Sequence, residues 1–176
     1  GTANPDTLNG LTIPAGGASV VFDYNGFHRA AITPDIVTMN NAHSSHFTDL
    51  VEPGVKHVLR GWDPGGGVAR HDVQHLDIRV RNLPTNIRDW GGTRVAGNSI
   101  FVFEAAGLCI AHLGHLHHSL TRADLETLGR VDVLMIAVDG TSTLAHHDAL
   151  HVMGQIKAPI NVPMHFWSRS VLDLFL

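Results

Sequence analysis

The sequence has few of the features that mark several common classes of protein. A single cysteine, Cys109, among 176 residues excludes an internal disulfide. Charged residues make up only 16% of the chain and the net charge is -4, so there is no basic field for the backbone of a nucleic acid. No apolar run approaches the roughly 18 to 20 residues of a membrane-spanning helix, and we expect no membrane partner.

The first seventeen residues, "GTANPDTLNGLTIPAGG", favour turns over regular structure. We therefore predict a poorly anchored N-terminal segment over residues 1–17 and a single domain over 18–176. Hydrophobic residues make up 44% of the chain, enough for a compact core. The start at Gly1 without a methionine suggests processing or trimming, which favours an exported or periplasmic location over a cytoplasmic one.

Short apolar runs bounded by turn-forming residues predict strands in the first half of the chain. These runs are Ala18–Asp23, Asp35–Asn40, Val55–Arg60 and Leu76–Val80. The segment "GNSIFVFEAAGLCIAHLG" predicts a hairpin that turns around Ala105–Gly107.

The pattern of apolar and polar residues changes after residue 120. Thr121 and Asp124 resemble a capping box that opens a short helix through Leu128, and Gly129 is placed to end it. The run "VDVLMIAV" predicts a strand covered on both faces, and a second helix over about 144–156 precedes a last strand in "APINVPMHF". Strands first, then strand–helix alternation, predict a mixed α/β fold.

Histidines are abundant, 14 in all, and many follow predicted strands. His43 and His46 follow one strand, His165 follows the last, and Asp139 follows "VDVLMIAV". The run "HLGHLHH" after the hairpin adds His112, His115, His117 and His118. Polar groups at the carboxyl ends of strands meet at one edge of a sheet, and neutral imidazoles are good zinc ligands. We therefore predict a metal site there, with hydrogen-bonded surface histidines as the alternative.

Four other patterns carry weaker signals. "DPGGG" lacks the Lys-Ser/Thr ending of a phosphate-binding loop and predicts a flexible loop. "RDWGGTR", with Trp90, either borders a pocket or connects a hairpin. Ser44 and Ser45 lack the Gly-x-Ser-x-Gly pattern of a nucleophilic serine. His147 and His151 stand four apart on a predicted helix, where a solvated face is favoured over a metal site.

The order of these elements resembles the metallo-β-lactamase-fold hydrolases, especially small bacterial members related to the UlaG-like group, over residues 18–170. The family motif His-x-His-x-Asp-His aligns without gaps with "NAHSSH". The alignment places Asn41 at the first His, His43 at the second, Ser45 at the Asp and His46 at the last. The resemblance implies an αββα sandwich, truncated at both ends relative to the family.

Other segments extend the resemblance. In "CIAHLGHL", His115 stands where the family has a metal-bridging Asp, and in "NVPMHF" His165 stands at the final His. Ile87 stands near the remaining family His, so one of the two family metal sites loses most of its ligands. The resemblance implies one transition-metal ion held by His43, His46, His115 and His165. Zinc is the first choice, although Ni, Cu and Fe also accept imidazoles.

The function implied is hydrolysis of a small ester, lactone, amide or phosphoester by a metal-activated water. The predicted catalytic residues are Ser45, Asp139 and His117. The predicted substrate-binding residues are Asn41, His118 and Trp90. The alternative is a non-catalytic relative that binds a metal or ligand at a degenerate site, since Ser45 replaces a carboxylate. A bare edge strand would also favour a homo-oligomer.

Overall fold

The computed structural model describes residues 17–26, 32–41, 44–89 and 91–176, so nearly all of the predicted N-terminal segment lies outside it. Nine strands and three helices form within those ranges. The strands are β1 (Val20–Val21), β2 (Ile36–Met39), β3 (His57–Arg60), β4 (Asp72–His75), β5 (Ile78–Asp89), β6 (Gly92–Ala105), β7 (Leu108–His112), β8 (Val133–Ala137) and β9 (Ile160–Met164). The helices are α1 (Arg122–Leu128), α2 (His146–Ile156) and α3 (Arg169–Phe175).

The strands form two sheets. The smaller sheet has the order β1-β2-β3, and both of its pairings are parallel. The larger sheet has six strands in the order β4-β5-β6-β7-β8-β9, antiparallel from β4 to β7 and parallel from β7 to β9. Parallel pairing makes the carboxyl ends of β1 and β2 neighbours in one sheet, and those of β7, β8 and β9 neighbours in the other.

Apolar side chains pack the two sheets face to face. Ile36 of the small sheet and Phe22, which follows β1, belong to one buried cluster with Phe101 and Phe103 of the large sheet. Phe22 and Phe103 meet edge to face, with ring centroids 4.7 Å apart. The helices cover the opposite face of the large sheet, where residues of all three pack together with its side chains. The predicted α/β sandwich is confirmed.

Several local predictions hold. β6 ends at Ala105 and β7 begins at Leu108, as the predicted hairpin requires. Thr121 and Asp124 form both hydrogen bonds of the capping box, and Gly129 ends α1. The segment "RDWGGTR" is a hairpin connection, because Asp89 at the end of β5 pairs with Gly92 at the start of β6.

Several elements differ from the prediction, and one of them, β4, was not predicted at all. The strand predicted from Leu76 begins at Ile78, because Leu76 has a φ of 50° and forms the turn after β4. β5 continues to Asp89 through "NLPTN", whose proline and asparagines argue against a strand, and its pairing with β6 shifts register after Thr85. α3 has no counterpart in the prediction. No helix in the described ranges is long and apolar enough to cross a membrane.

A buried asparagine joins the two sheets at the end of β2. Asn40 is 1% exposed. Its Oδ1 accepts a hydrogen bond of 2.8 Å from the backbone N–H of Ser99 on β6, and its Nδ2 donates to the Ser99 carbonyl at 3.4 Å. Ser99 pairs with Pro84 on β5, whereas the pairing of β6 with β7 begins only at Phe101, so the Asn40 side chain bonds the Ser99 backbone where β7 does not reach.

Replacing Asn40 by alanine should lower the free energy of unfolding by about 1–3 kcal/mol, because the buried Ser99 N–H would lose its acceptor. Urea denaturation followed by circular dichroism measures this change. Asn161→Ala serves as the control, since Asn161 is exposed and donates only to the nearby Ala158 carbonyl. Equal stabilities for the two variants would contradict the role given to Asn40.

Candidate metal centre

Three buried imidazoles converge where the carboxyl ends of the strands meet. His46 lies in the loop after β2, His115 in the loop after β7, and His165 directly after β9. His115 Nε2 lies 3.1 Å from His46 Nε2 and 3.1 Å from His165 Nε2. The three side chains offer one ligand atom each, all within 4.8 Å of one another, so they could hold a metal ion.

Two carboxylates lie on the far side of this triad. Asp23 Oδ2 is 3.3 Å from His46 Nδ1, and Asp139 Oδ2 is 2.7 Å from His165 Nδ1. A carboxylate beside Nδ1 favours the tautomer with the proton on that nitrogen, so the Nε2 lone pair points toward the other imidazoles. The carboxylate–histidine pair is also the usual arrangement behind a metal-bound imidazole.

The donor set fits a transition-metal ion. With the protons of His46 and His165 on Nδ1, their Nε2 lone pairs both face His115 Nε2 at 3.1 Å. A cation between the three nitrogens could accept a lone pair from each ring. Zn–N bonds of about 2.0–2.1 Å in a tetrahedral site place ligand nitrogens about 3.3 Å apart, close to the 3.1 Å separations here.

The enclosed space beside the triad is small. Its volume is about 10 Å³, the room that a single water-sized sphere needs. The lining is partly polar and partly apolar, with Met135 and Met164 beside the imidazoles. A site of this size suits an ion and one small ligand, and larger substrate groups would have to approach from outside it.

The two carboxylates are held in their ionised form. Burial alone would raise the pKa of Asp23, but the facing His112 and His46 hold that pKa well below its usual range. Burial likewise opposes ionisation of Asp139, but His165 and the backbone N–H of Thr141 hold its pKa well below the usual range. The site therefore combines imidazole nitrogens with two ionised carboxylates, which favours a cation.

The loop after β8 positions Asp139. Its Oδ1 accepts three backbone hydrogen bonds, from Thr141 at 2.6 Å, Ser142 at 2.7 Å and Thr143 at 3.2 Å. Its Oδ2 accepts from the Thr143 hydroxyl at 3.1 Å. These contacts fix the carboxylate before any metal binds, and the carboxylate in turn fixes the His165 ring.

A fourth buried imidazole, His112 at the end of β7, also lines the cavity. Its Nε2 lies 3.6 Å from Asp23 Oδ2, and its ring stacks on Phe22 with centroids 5.3 Å apart. Burial lowers the pKa of His112, against the opposing effect of Asp23, so this ring is neutral at pH 7. Asp23 therefore lies between two imidazoles and positions both.

Two of these residues have unusual backbone conformations. Asp23 has a φ of 47° and His165 a φ of 54°, in the left-handed region that costs a non-glycine residue about 1–2 kcal/mol. Such strain persists where surrounding contacts over-determine the conformation, and it concentrates at functional sites. His165 follows β9 directly and Asp23 lies two residues after β1, so a left-handed turn near each strand end aims the side chain at the site.

His115 is positioned through its backbone. Asn98 on β6 accepts a 2.8 Å hydrogen bond from the His115 N–H, and its Nδ2 donates to Thr85 and to the Leu113 carbonyl. Gly114 has a φ of 57° and packs against the Asn40 and Asn98 amides. The glycine thus lets the chain pass close to two buried asparagines and deliver His115 to the triad.

The tip of the β5–β6 hairpin contacts loops on both sides of the site. Arg88 donates to the carbonyls of Thr141 at 2.9 Å and Thr143 at 3.2 Å, in the loop that carries Asp139. Arg94 donates to the Asn41 carbonyl at 2.5 Å, in the loop that leads to His46. The long hairpin therefore braces the loops that supply ligands.

The other predicted site residues are distributed around the triad. His43 and Trp90 lie outside the described residues. Asp139 lies behind His165. Asn41 is half-buried beside Arg94, and Ser45 is half-buried with its carbonyl accepting from Asn25 at 2.7 Å. Neither Asn41 nor Ser45 is among the residues that line the cavity.

His117 and His118 lie farther along the loop after β7, outside the set that lines the cavity. Burial and the neighbouring His118 lower the pKa of His117. His118 Nε2 accepts a hydrogen bond of 3.3 Å from the Asn86 backbone on β5, which gives this side chain a structural partner. The catalytic role of His117 and the substrate-binding role of His118 stay predictions.

Sequence reasoning counted His112 among the strand-end histidines without giving it a role, and it gave no role to Asp23. Asp23 directly follows the apolar run "ASVVF", and His112 ends the strand "LCIAH", so both have the strand-end signal used for the other ligands. Asp49, three residues after His46, pairs with Arg60 at 3.4 Å instead of with a triad imidazole, and its side chain is 85% exposed.

Comparisons with known proteins agree with this geometry. A family model described as the beta-lactamase superfamily domain matches residues 8–165. A UPF0173 protein of Pyrococcus furiosus is 36% identical over 64 residues, which cover 36% of this chain and only 30% of that protein. A UPF0173 metal-dependent hydrolase of Thermoplasma volcanium is 24% identical over 165 residues, with 80% of this chain and 70% of the relative covered.

One solved structure is similar in both sequence and fold. It is a candidate Zn-dependent hydrolase of the metallo-β-lactamase superfamily from Thermotoga maritima, 27% identical, with a TM-score of 0.63. The match covers 91% of this chain and 78% of that one. The α/β sandwich described above is thus of the metallo-β-lactamase type.

Gly114→Ala should destabilise the protein and disturb His115, because a Cβ there would lie 2.3 Å from Asn40 Nδ2 and 2.6 Å from Asn98 Oδ1. Gly107→Ala is the matched control, since Gly107 also has a positive φ of 76° but open space around the Cβ position. Both variants carry the left-handed penalty of about 1–2 kcal/mol, and only Gly114→Ala adds the collision. Equal losses in urea denaturation would contradict the close packing at Gly114.

Proposed function

Because the chain belongs to the β-lactamase superfamily domain family, we propose that it is a metal-dependent hydrolase with one metal ion on His46, His115 and His165. The observation that carries the proposal is the convergence of the three Nε2 atoms, two of them backed by ionised carboxylates. Zinc suits three imidazole nitrogens and is the metal we propose. The Thermoplasma volcanium relative is also named a metal-dependent hydrolase.

A count of one metal ion at the triad is supported by Ile87, which stands where the family has a further His ligand. Ile87 is 1% exposed, and it pairs with Arg94 across the β5–β6 hairpin. A hydrocarbon side chain packed in this way offers no donor atom. His43, which the motif predicts as a further ligand, lies outside the described residues, and its addition to the triad stays part of the proposal.

A metal ion held by the triad supplies a Lewis acid that activates water at neutral pH and polarises the bond to be cleaved. The chain's own residues do the remaining work. Asp23 and Asp139 hold the Nδ1 protons of His46 and His165, so these rings keep their lone pairs toward the centre. The small cavity and its methionines limit the water that reaches the triad.

The substrate we propose is a small ester, lactone, amide or phosphoester. Its reacting group would approach the triad from outside the small cavity, and Asn41, His118 and Trp90 are the proposed contacts for the rest of the molecule. Ser45, Asp139 and His117 keep their proposed part in water orientation and proton transfer. For Asp139 the support is its 2.7 Å contact with His165, which makes its contribution indirect.

A second function has its own support. Ser45 stands where the family motif has a carboxylate, and a hydroxyl is a poor base at neutral pH. A protein that holds a metal or a small ligand without turnover is therefore the alternative. Metal-loaded protein that hydrolyses none of the four substrate classes would favour this second function.

His115→Ala should abolish both metal binding at the triad and hydrolysis, because His115 Nε2 is the nitrogen shared by both short contacts. Metal content is measured by inductively coupled plasma mass spectrometry, and turnover with a panel of chromogenic esters and phosphodiesters. His118→Ala is the control for metal content, since His118 bonds to Asn86 rather than to the triad. Unchanged occupancy of the triad in His115→Ala would overturn the assignment.

Asp139→Asn should weaken zinc binding about 10–100-fold with little loss of stability. The amide keeps an oxygen for the loop N–H groups, but its NH₂ would donate to His165 Nδ1 and drive the ring proton to Nε2, toward the metal. Competition with a chromophoric chelator measures the affinity. Asp63→Asn is the control, because Asp63 makes similar bonds to Gly65 and Gly67 in an exposed loop. A zinc affinity equal to that of the wild type would contradict the tautomer argument.

A further inference from the structure

A second pair of imidazoles lies where the small sheet meets the edge of the large one. His57 begins β3 and His75 ends β4, and His57 Nε2 lies 3.2 Å from His75 Nδ1. The rings meet at 69° with centroids 5.0 Å apart. His57 pairs with Ile36 at the start of β2, whereas His46 follows the end of β2, so the pair and the triad lie toward opposite ends of that strand.

A carboxylate also backs this pair. Asp35 Oδ1 is 3.6 Å from His75 Nε2. Asp35 Oδ2 accepts from the backbone N–H of Ser19 at 2.9 Å and from its hydroxyl at 2.8 Å, which fixes the carboxylate. The hydrogen bond from the Ser19 backbone lowers the pKa of Asp35 and so keeps it ionised at neutral pH. The charge favours a proton on His75 Nε2 and leaves the Nδ1 lone pair facing His57.

We propose that His57 and His75 form a second binding site for a divalent transition-metal ion, at the junction of the two sheets. The two nitrogens are 3.2 Å apart, so an ion about 2.0–2.1 Å from each would have an N–metal–N angle of about 100°. That angle suits tetrahedral zinc and is near the angle of square-planar copper or nickel. His57 needs only to carry its proton on Nδ1 for its Nε2 lone pair to bind.

The pair is accessible and well held. Both rings are half-buried, and the His75 side chain is 21% exposed, so an ion can enter from solution and water can complete its coordination. Each residue is fixed by a strand, His57 through its N–H to the Asp35 carbonyl at 3.0 Å and His75 by pairing with Ile78. An ion bound there would link β3 of the small sheet to β4 of the large sheet and stabilise their junction.

The test is a zinc titration of the full chain after chelator treatment, by isothermal calorimetry with metal analysis. We expect His57→Gln and His75→Gln each to lose one equivalent of zinc relative to the wild type. His71→Gln should lose none, because the His71 ring contacts the Arg60 carbonyl at 2.7 Å rather than another imidazole. Zinc should also raise the melting temperature of His115→Ala, and less so that of the double variant His57→Gln/His115→Ala.

Unchanged zinc binding in both variants would overturn the proposal. If His57→Gln and His75→Gln bind as much zinc as the wild type, the two rings share only a hydrogen bond and the proposal fails. The triad is tested separately, since its equivalent depends on His115 and not on His57. If zinc binding falls in His115→Ala but in neither His57→Gln nor His75→Gln, the proposed hydrolase stands and the second site is overturned.

Discussion

The interaction on which this site depends is the convergence of three buried imidazole nitrogens. His115 Nε2 lies 3.1 Å from the Nε2 atoms of both His46 and His165, a spacing that suits three ligands of one metal ion. The carboxylates of Asp23 and Asp139 determine where the protons lie and so keep the centre open to a cation.

The arrangement of the strands brings the three histidines together. Parallel strands in two separate sheets end near one another, so ligands from distant parts of the chain arrive together. Buried asparagines link the segments that carry the site: Asn40 joins β2 to β6, and Asn98 holds the backbone of His115. The left-handed backbone conformations of Asp23 and His165 lower the stability of the fold somewhat, and they orient each side chain toward the site.

The sequence was informative where one strong local pattern decides the structure. The capping box at Thr121 and the hairpin turn near Ala106 follow from residue types alone. The positions of His46, His115 and His165 after predicted strands indicated that they share one site. β5 was predicted too short because Pro84 and its neighbours argue against a strand, yet pairing with β6 overrides that preference. The roles of Asp23 and His112 depend on contacts between strands distant in sequence, which no spacing encodes.

The most direct test of the central claim is X-ray absorption spectroscopy on His57→Gln protein loaded with one equivalent of zinc. This variant leaves the triad intact and removes the second pair of rings. The account predicts at least three imidazole nitrogens at about 2.0–2.1 Å from the metal, with the remaining coordination from light atoms. A spectrum with one imidazole or none, or zinc that fails to bind at all, would contradict it.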